Sequence, residues 1–124
     1  GAPMDDAPIQ VAGQDAWLLD QLGNRFQLLV FANGVGDFDA AVLAQLKALA
    51  HDPIPVQPII VTPAGGPLDG FTVLADAQDL FARRYDARPG TVYLARPDQH
   101  VAARWRAFDP SLVRAAVARA TCNA

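Results

Sequence analysis

Phe26-Gln27-Leu28-Leu29-Val30-Phe31-Ala32 is the stretch on which the fold turns. A strand with one wet face alternates apolar and polar residues. A nearly continuous apolar run suits a strand covered on both faces. The expectation is a central strand with helices above and below it.

On its C-terminal side, Asn33-Gly34-Val35-Gly36-Asp37 reads as a loop. Asp37 or Asp39 can cap the next helix, since a carboxylate accepts from a free first-turn amide. Phe38, Val42, Leu46 and Leu49 fall at i, i+4, i+8 and i+11, one helical stripe. Pro53 and Pro55 end that helix. Val56 to Thr62 is a second apolar strand, rich in β-branched residues. A loop at Pro63 to Pro67 leads to a short strand at Phe71 to Leu74. Asp76 can cap a short helix running to Tyr85, with Leu80, Phe81 and Tyr85 inward. Thr91 to Ala95 is a third strand. Pro97-Asp98-Gln99 is a turn, from which His100 to Trp105 pairs back as a hairpin. Asp109 caps a last helix with Pro110 at its first position, where a missing amide costs nothing. Its apolar face is Leu112, Val113, Ala116, Val117 and Ala120.

On the N-terminal side, Ile9-Gln10-Val11 suits a short strand. Between Gly13 and Gly23, the spacing of Trp17, Leu18, Leu19 and Leu22 fits either helical turns or a hairpin. The Pro- and Asp-rich stretch 1–8 reads as a linker from an upstream region. Residues 9–124 then form one domain. The element order is that of a thioredoxin-like α/β fold, a mixed central sheet with helices on both faces.

Composition narrows the function classes. The chain has 124 residues, 52% hydrophobic and 19% charged, which is too apolar for a disordered chain. The net charge of −3, with Lys47 the single lysine, gives no general pull toward nucleic acid or an anionic membrane. No apolar run is long enough to span a bilayer. The N-terminus has neither the basic flank nor the apolar core of a signal peptide, so the expected compartment is the cytoplasm.

One cysteine excludes an internal disulfide, a Cys-x-x-Cys pair and a multi-thiolate zinc site within one chain. In a thioredoxin the dithiol opens the first long helix, where the helix dipole lowers the thiol pKa. Here that position reads Gly34-Val35-Gly36-Asp37, and Pro89 or Gly90 holds the facing loop. The one thiol, Cys122, is expected past the last helix, as a terminal rather than a catalytic group. Gly34-x-Gly36-x-x-Asp39 has the place of a dinucleotide fingerprint. It lacks the third glycine, and its Asp would face an incoming pyrophosphate. His51 and His100 have no ligand-like spacing. Catalytic, cofactor-binding and metal-binding residues are therefore all predicted absent from this chain.

Arginines remain. Arg83, Arg84 and Arg88 precede the third strand, and Arg96, Arg104 and Arg106 surround the hairpin with Trp105. They read equally as a solvated face, with arginine stems over apolar surface, or as a docking face. The candidate interface residues are Arg96, His100, Arg104, Trp105 and Arg106.

The segment Tyr85-Asp86-Ala87-Arg88-Pro89-Gly90-Thr91-Val92-Tyr93-Leu94-Ala95-Arg96-Pro97-Asp98-Gln99-His100-Val101-Ala102-Ala103-Arg104-Trp105 resembles the end of the flavin-dependent aromatic-ring hydroxylases. Trp17-Leu18-Leu19-Asp20 and Leu22-Gly23-Asn24-Arg25-Phe26 resemble that family's run from linker into first central strand. Gln99 departs from the glycine many relatives carry. The resemblance covers essentially the whole chain and is nearest to 3-(3-hydroxyphenyl)propionate hydroxylases, with phenol hydroxylases more distant. It implies a non-catalytic C-terminal thioredoxin-like domain. The parent would use FAD and NAD(P)H to hydroxylate a phenolic ring, in domains this chain lacks. The implied partners are those upstream domains or a second subunit, as in a homodimer. Two alternatives stay open: a stand-alone small-molecule binding module using the loops at 34–37 and 63–67, and a redox enzyme using Cys122.

Overall fold

The computed structural model describes residues 3–122. Seven strands form one sheet: β1 (Pro8–Val11), β2 (Gln14–Trp17), β3 (Phe26–Phe31), β4 (Val56–Thr62), β5 (Thr72–Ala75), β6 (Val92–Ala95) and β7 (Val101–Trp105). The helices are α1 (Ala40–Leu49), α2 (Leu80–Arg84) and α3 (Pro110–Cys122). The spatial order is β2-β1-β5-β4-β3-β6-β7. β3 runs parallel to β4 and β4 to β5, while β6, β7, β1 and β2 join by antiparallel pairing. The sheet is mixed, as expected.

β3 is buried at every position. Alternate residues divide between two cores. Leu28 and Val30 join Ile60, Val92 and Leu94 beneath Leu46, Leu49, Val113 and Val117 of α1 and α3. Leu29 and Phe31 join Ile59, Val61, Leu74 and Tyr93 on the other face, beneath Phe81, Tyr85 and Leu18. Gln27, the polar member of the run, is buried and fully engaged. Its amide nitrogen donates to the Gln21 carbonyl and Gln57 Oε1, and its oxygen accepts from the Gly23 amide. Pro58 sits inside β4, where a proline would ordinarily break a ladder. β5 pairs with β4 only from Ile59 onward, so the missing amide interrupts nothing on that side.

The caps follow expectation with one change of distance. The Asp39 carboxylate accepts from the Val42 amide at 2.8 Å, and that of Asp109 from Ser111 at 2.9 Å. Asp76 accepts from the amides of Phe81 and Ala82 at 2.9 and 3.0 Å, reaching α2 from three residues before its N-cap Asp79.

Several expectations need correction. The segment between Gly13 and Gly23 is both alternatives in turn: β2 pairs with β1, then Leu18–Gln21 makes a 3-10 turn. The strand expected from Phe71 begins one residue later. Leu112 is 46% exposed and lies off the buried stripe of α3, which is Val113, Ala116 and Val117. Cys122 is the last residue of α3 rather than beyond it. The stretch 1–8 has linker composition, yet Met4 and Ala7 are buried in the core of Leu29, Phe31 and Phe81.

Candidate functional site

The end of β3 is where a thiol of this fold would stand. Val35–Asp37 forms a 3-10 turn there. The Asp37 carboxylate accepts from the amides of Asn33 and Gly34 at 3.1 and 3.2 Å. Asp39 holds the first turn of α1. The amides that would cradle a pyrophosphate are thus taken by the chain's own carboxylates, and two negative charges flank the site. The residues present do not fit a dinucleotide. Across the loop, the Gly90 amide donates to the Phe31 carbonyl at 2.8 Å and the Phe31 amide to the Thr91 carbonyl at 3.0 Å. No peptide bond among the described residues is cis.

No group of three His, Cys, Asp or Glu among the described residues could hold a metal ion. His51 is exposed after α1, and its neighbour Asp52 pairs with Arg114 at 2.8 Å. That pairing pushes the Arg114 guanidinium pKa up. His100 sets Nδ1 3.1 Å from the Asp98 carbonyl. Asp98 also receives Arg96. Burial acts upward on the Asp98 carboxyl, but the hydrogen bond and charge of Arg96, with His100 beside it, hold it below the usual range.

Arg104 and Arg106 converge on Asp86. Arg106 Nη2 lies 2.8 Å and Arg104 Nη2 3.1 Å from its Oδ2. Arg106, then Arg104, hold the Asp86 carboxyl below the usual range. Arg106 also donates to Thr91 Oγ1 at 3.1 Å, and the Arg104 guanidinium lies over the Tyr93 ring, 5.3 Å from its centroid. Burial first pushes the Tyr93 phenol up; Arg104 and Arg106 pull the other way.

The five candidate interface residues therefore divide. Arg96 and His100 gather at Asp98 on the turn, and Arg104 and Arg106 at Asp86. Trp105 pairs with Val92 and packs against the core beneath α1 and α3, on the opposite face from Arg104. What they share is the edge strand β7 and its flanks.

Sequence reading missed Asp86 as the common acceptor. Its partners lie 18 and 20 residues away, and no local pattern in the sequence marks it. It also missed Trp17, 52% exposed on the other edge strand β2. A surface groove of about 870 Å³ is walled by residues 10–13 and 64–73. The loop at 34–37 does not line this groove, although the Val35 side chain lies beside Gly66 of the loop at 63–67. No described helix is long and apolar enough to cross a membrane.

Known proteins share this architecture. The chain is similar to a thiol peroxidase from Chromobacterium violaceum at 16% identity, with a TM-score of 0.73 over 98% of this chain and 87% of that one. It is similar to the flavin-dependent monooxygenase PieE, solved with FAD and substrate, at 24% identity and a TM-score of 0.64. That match covers 86% of this chain and 17% of PieE. Aklavinone-11 hydroxylase, solved with FAD and aklavinone, matches at 21% identity and a TM-score of 0.66, over 90% of this chain and 19% of that one. The chain spans less than a fifth of the length of either flavin enzyme. No curated protein matches its sequence. The fold is thioredoxin-like, without Cys-x-x-Cys. The model of the HcaD C-terminal domain matches residues 8–120, and the chain belongs to that family.

Proposed function

We propose that this chain is the non-catalytic C-terminal domain of a flavin-dependent aromatic hydroxylase. The observation that carries the reading is the family match across residues 8–120. The chemistry of the β3–α1 loop supports it: where a thioredoxin-like enzyme would hold a thiol, this chain closes a turn on Asp37. The parent reaction would be NAD(P)H- and O2-dependent hydroxylation of a phenolic compound in the cytoplasm. A 3-(3-hydroxyphenyl)propionate-type substrate is the nearest in resemblance. Residues 9–124 are the domain, and 1–8 join it to FAD and substrate domains upstream.

Its work would be stabilisation or subunit association, as in a homodimer, through the β7 edge: Arg96, His100, Arg104, Trp105 and Arg106. An edge strand leaves one row of backbone groups unpaired, and arginines paired in advance lose little freedom on docking.

The test is to delete this domain from the intact gene product. Flavin content, melting temperature and mass by light scattering would then be compared. The expected result is retained flavin with a lower melting temperature or a lost association state. Unchanged melting temperature and mass would contradict the role, as would stoichiometric flavin on the isolated chain.

A further inference from the structure

Residues 3–8 have the composition of a flexible tether, but the structure stitches them down. Pro3 bridges to His100, and the Met4 amide donates to the Gln99 carbonyl at 3.0 Å. The Tyr85 hydroxyl donates to the Asp5 carbonyl, and Arg84 Nη1 to the Asp6 carbonyl. Asp6 Oδ1 accepts from the amides of Ala7 and Leu19 at 2.9 and 3.0 Å. The Ala7 carbonyl accepts from Leu18 at 2.9 Å. Met4 is 7% and Ala7 0% exposed. Each residue from Pro3 to Ala7 is therefore held by a bridge or hydrogen bond to the domain body. A free tether would leave these groups to water.

The path matters as much as the bonds. Pro8 lies in β1, second from one edge of the sheet, whereas His100 precedes β7 at the other. The strap runs back toward the β6–β7 turn. It brings the chain to the surface beside His100, next to Arg96 and Asp98.

We propose that residues 3–8 are a clamped joint that fixes the orientation of the preceding polypeptide and docks it at the β6–β7 turn. The occupant of that surface, Arg96, Asp98 and His100 with the strap, is the upstream body of the same chain. This part rests on the reading that this is a C-terminal domain. A body held at a fixed exit point meets the turn with little further loss of freedom.

Amide hydrogen exchange of the 124-residue chain tests the joint without the parent. The Met4 and Ala7 amides should exchange at least about 100-fold slower than in an unfolded chain. Tyr85→Phe should speed Met4 exchange by about 3- to 10-fold and leave β3 unchanged. Unfolded-chain rates at Met4 and Ala7, with β3 still protected, would overturn the proposal. A second variant avoids the core: a nitroxide on Asp5→Cys, in a Cys122→Ser background. A motionally restricted spectrum is expected, and a freely tumbling one would overturn the joint. A gene product no longer than this chain would instead remove the upstream body, and with it the proposed function, while the exchange result stood.

Discussion

The two faces of the sheet are closed in different ways. One carries two long helices, and its core is aliphatic at its centre, where Leu28, Val30, Ile60 and Leu94 meet Leu46, Leu49, Val113 and Val117, with Phe26 and Trp105 toward its margin. The other carries one short helix, a 3-10 turn and a strap. Its core sets an aromatic cluster among aliphatic residues such as Leu18, Leu29 and Ile59, with Phe81 stacked between Phe31 at 5.8 Å and Tyr85 at 4.8 Å, and Tyr93 edge-on to Tyr85 at 5.2 Å. The helical face is held mainly by burial, with the Arg114–Asp52 pair joining α3 to the end of α1. The strapped face adds hydrogen bonds between distant segments: the Tyr93 hydroxyl donates to the Tyr85 carbonyl, and that of Tyr85 to the Asp5 carbonyl. Burial and the charges of Asp5 and Asp6 raise the Tyr85 phenol pKa, so it stays a donor across the ordinary pH range. A short helix buries too little to seal a face, and the strap completes the cover.

Large truncations probe what the faces share. Phe81→Ala should cost about 3–5 kcal/mol and Leu46→Ala about 2–5 kcal/mol in urea melts, because both side chains are fully buried. A loss below ~1 kcal/mol at either would mean that face is not packed as described.

Removing residues 1–6 probes where the faces differ. It uncovers the site of Met4 and frees the Tyr85 hydroxyl, and should cost about 2 kcal/mol. The near-ultraviolet tyrosine signal should change, since Tyr85 and Tyr93 lie on the strapped face. Unchanged stability would reduce the strap to ornament.

Gln99 sharpens the contrast at one residue. It holds φ 62°, a conformation glycine adopts freely. Its amide donates to the carbonyls of Leu19 and Leu22 at 2.7 and 3.1 Å, tying the β6–β7 turn to the 3-10 turn. Gln99→Ala loses the bonds and keeps the strain, at about 1–2 kcal/mol. Gln99→Gly loses the same bonds and relieves the strain, so it should be milder by about 1 kcal/mol. Equal losses would show that the backbone is unstrained.

The smallest effect belongs to Asp86, which is exposed. Arg106 and Arg104 lower its folded pKa, so its contribution is complete above the unfolded value of about 4 and fades as pH falls through the folded one. The stability gap between wild type and Asp86→Asn should be constant at neutral pH and close in acid. A gap that widened in acid would reverse the assignment.

These differences explain what could be read from the sequence. The helical face was legible because its signals are local. Phe38, Val42, Leu46 and Leu49 repeat at helical spacing, and Asp39 and Asp109 stand where caps stand. The missing thiol at Gly34 to Asp37 was equally plain. The strapped face was not legible, because its contacts join residues about 80 positions apart. Met4 alone among Pro and Asp carries no periodicity. The arginine-rich edge was half legible. Strand alternation between Arg104 and Trp105 already sends them to opposite faces, but nothing local marks Asp86 as the acceptor between two arginines.

The most direct measurement of the central claim is on the intact gene product, purified with a C-terminal tag: its chain mass and visible absorbance. The account predicts a chain several times heavier than this domain, carrying an oxidised flavin spectrum. A colourless chain of about this domain's size would contradict it.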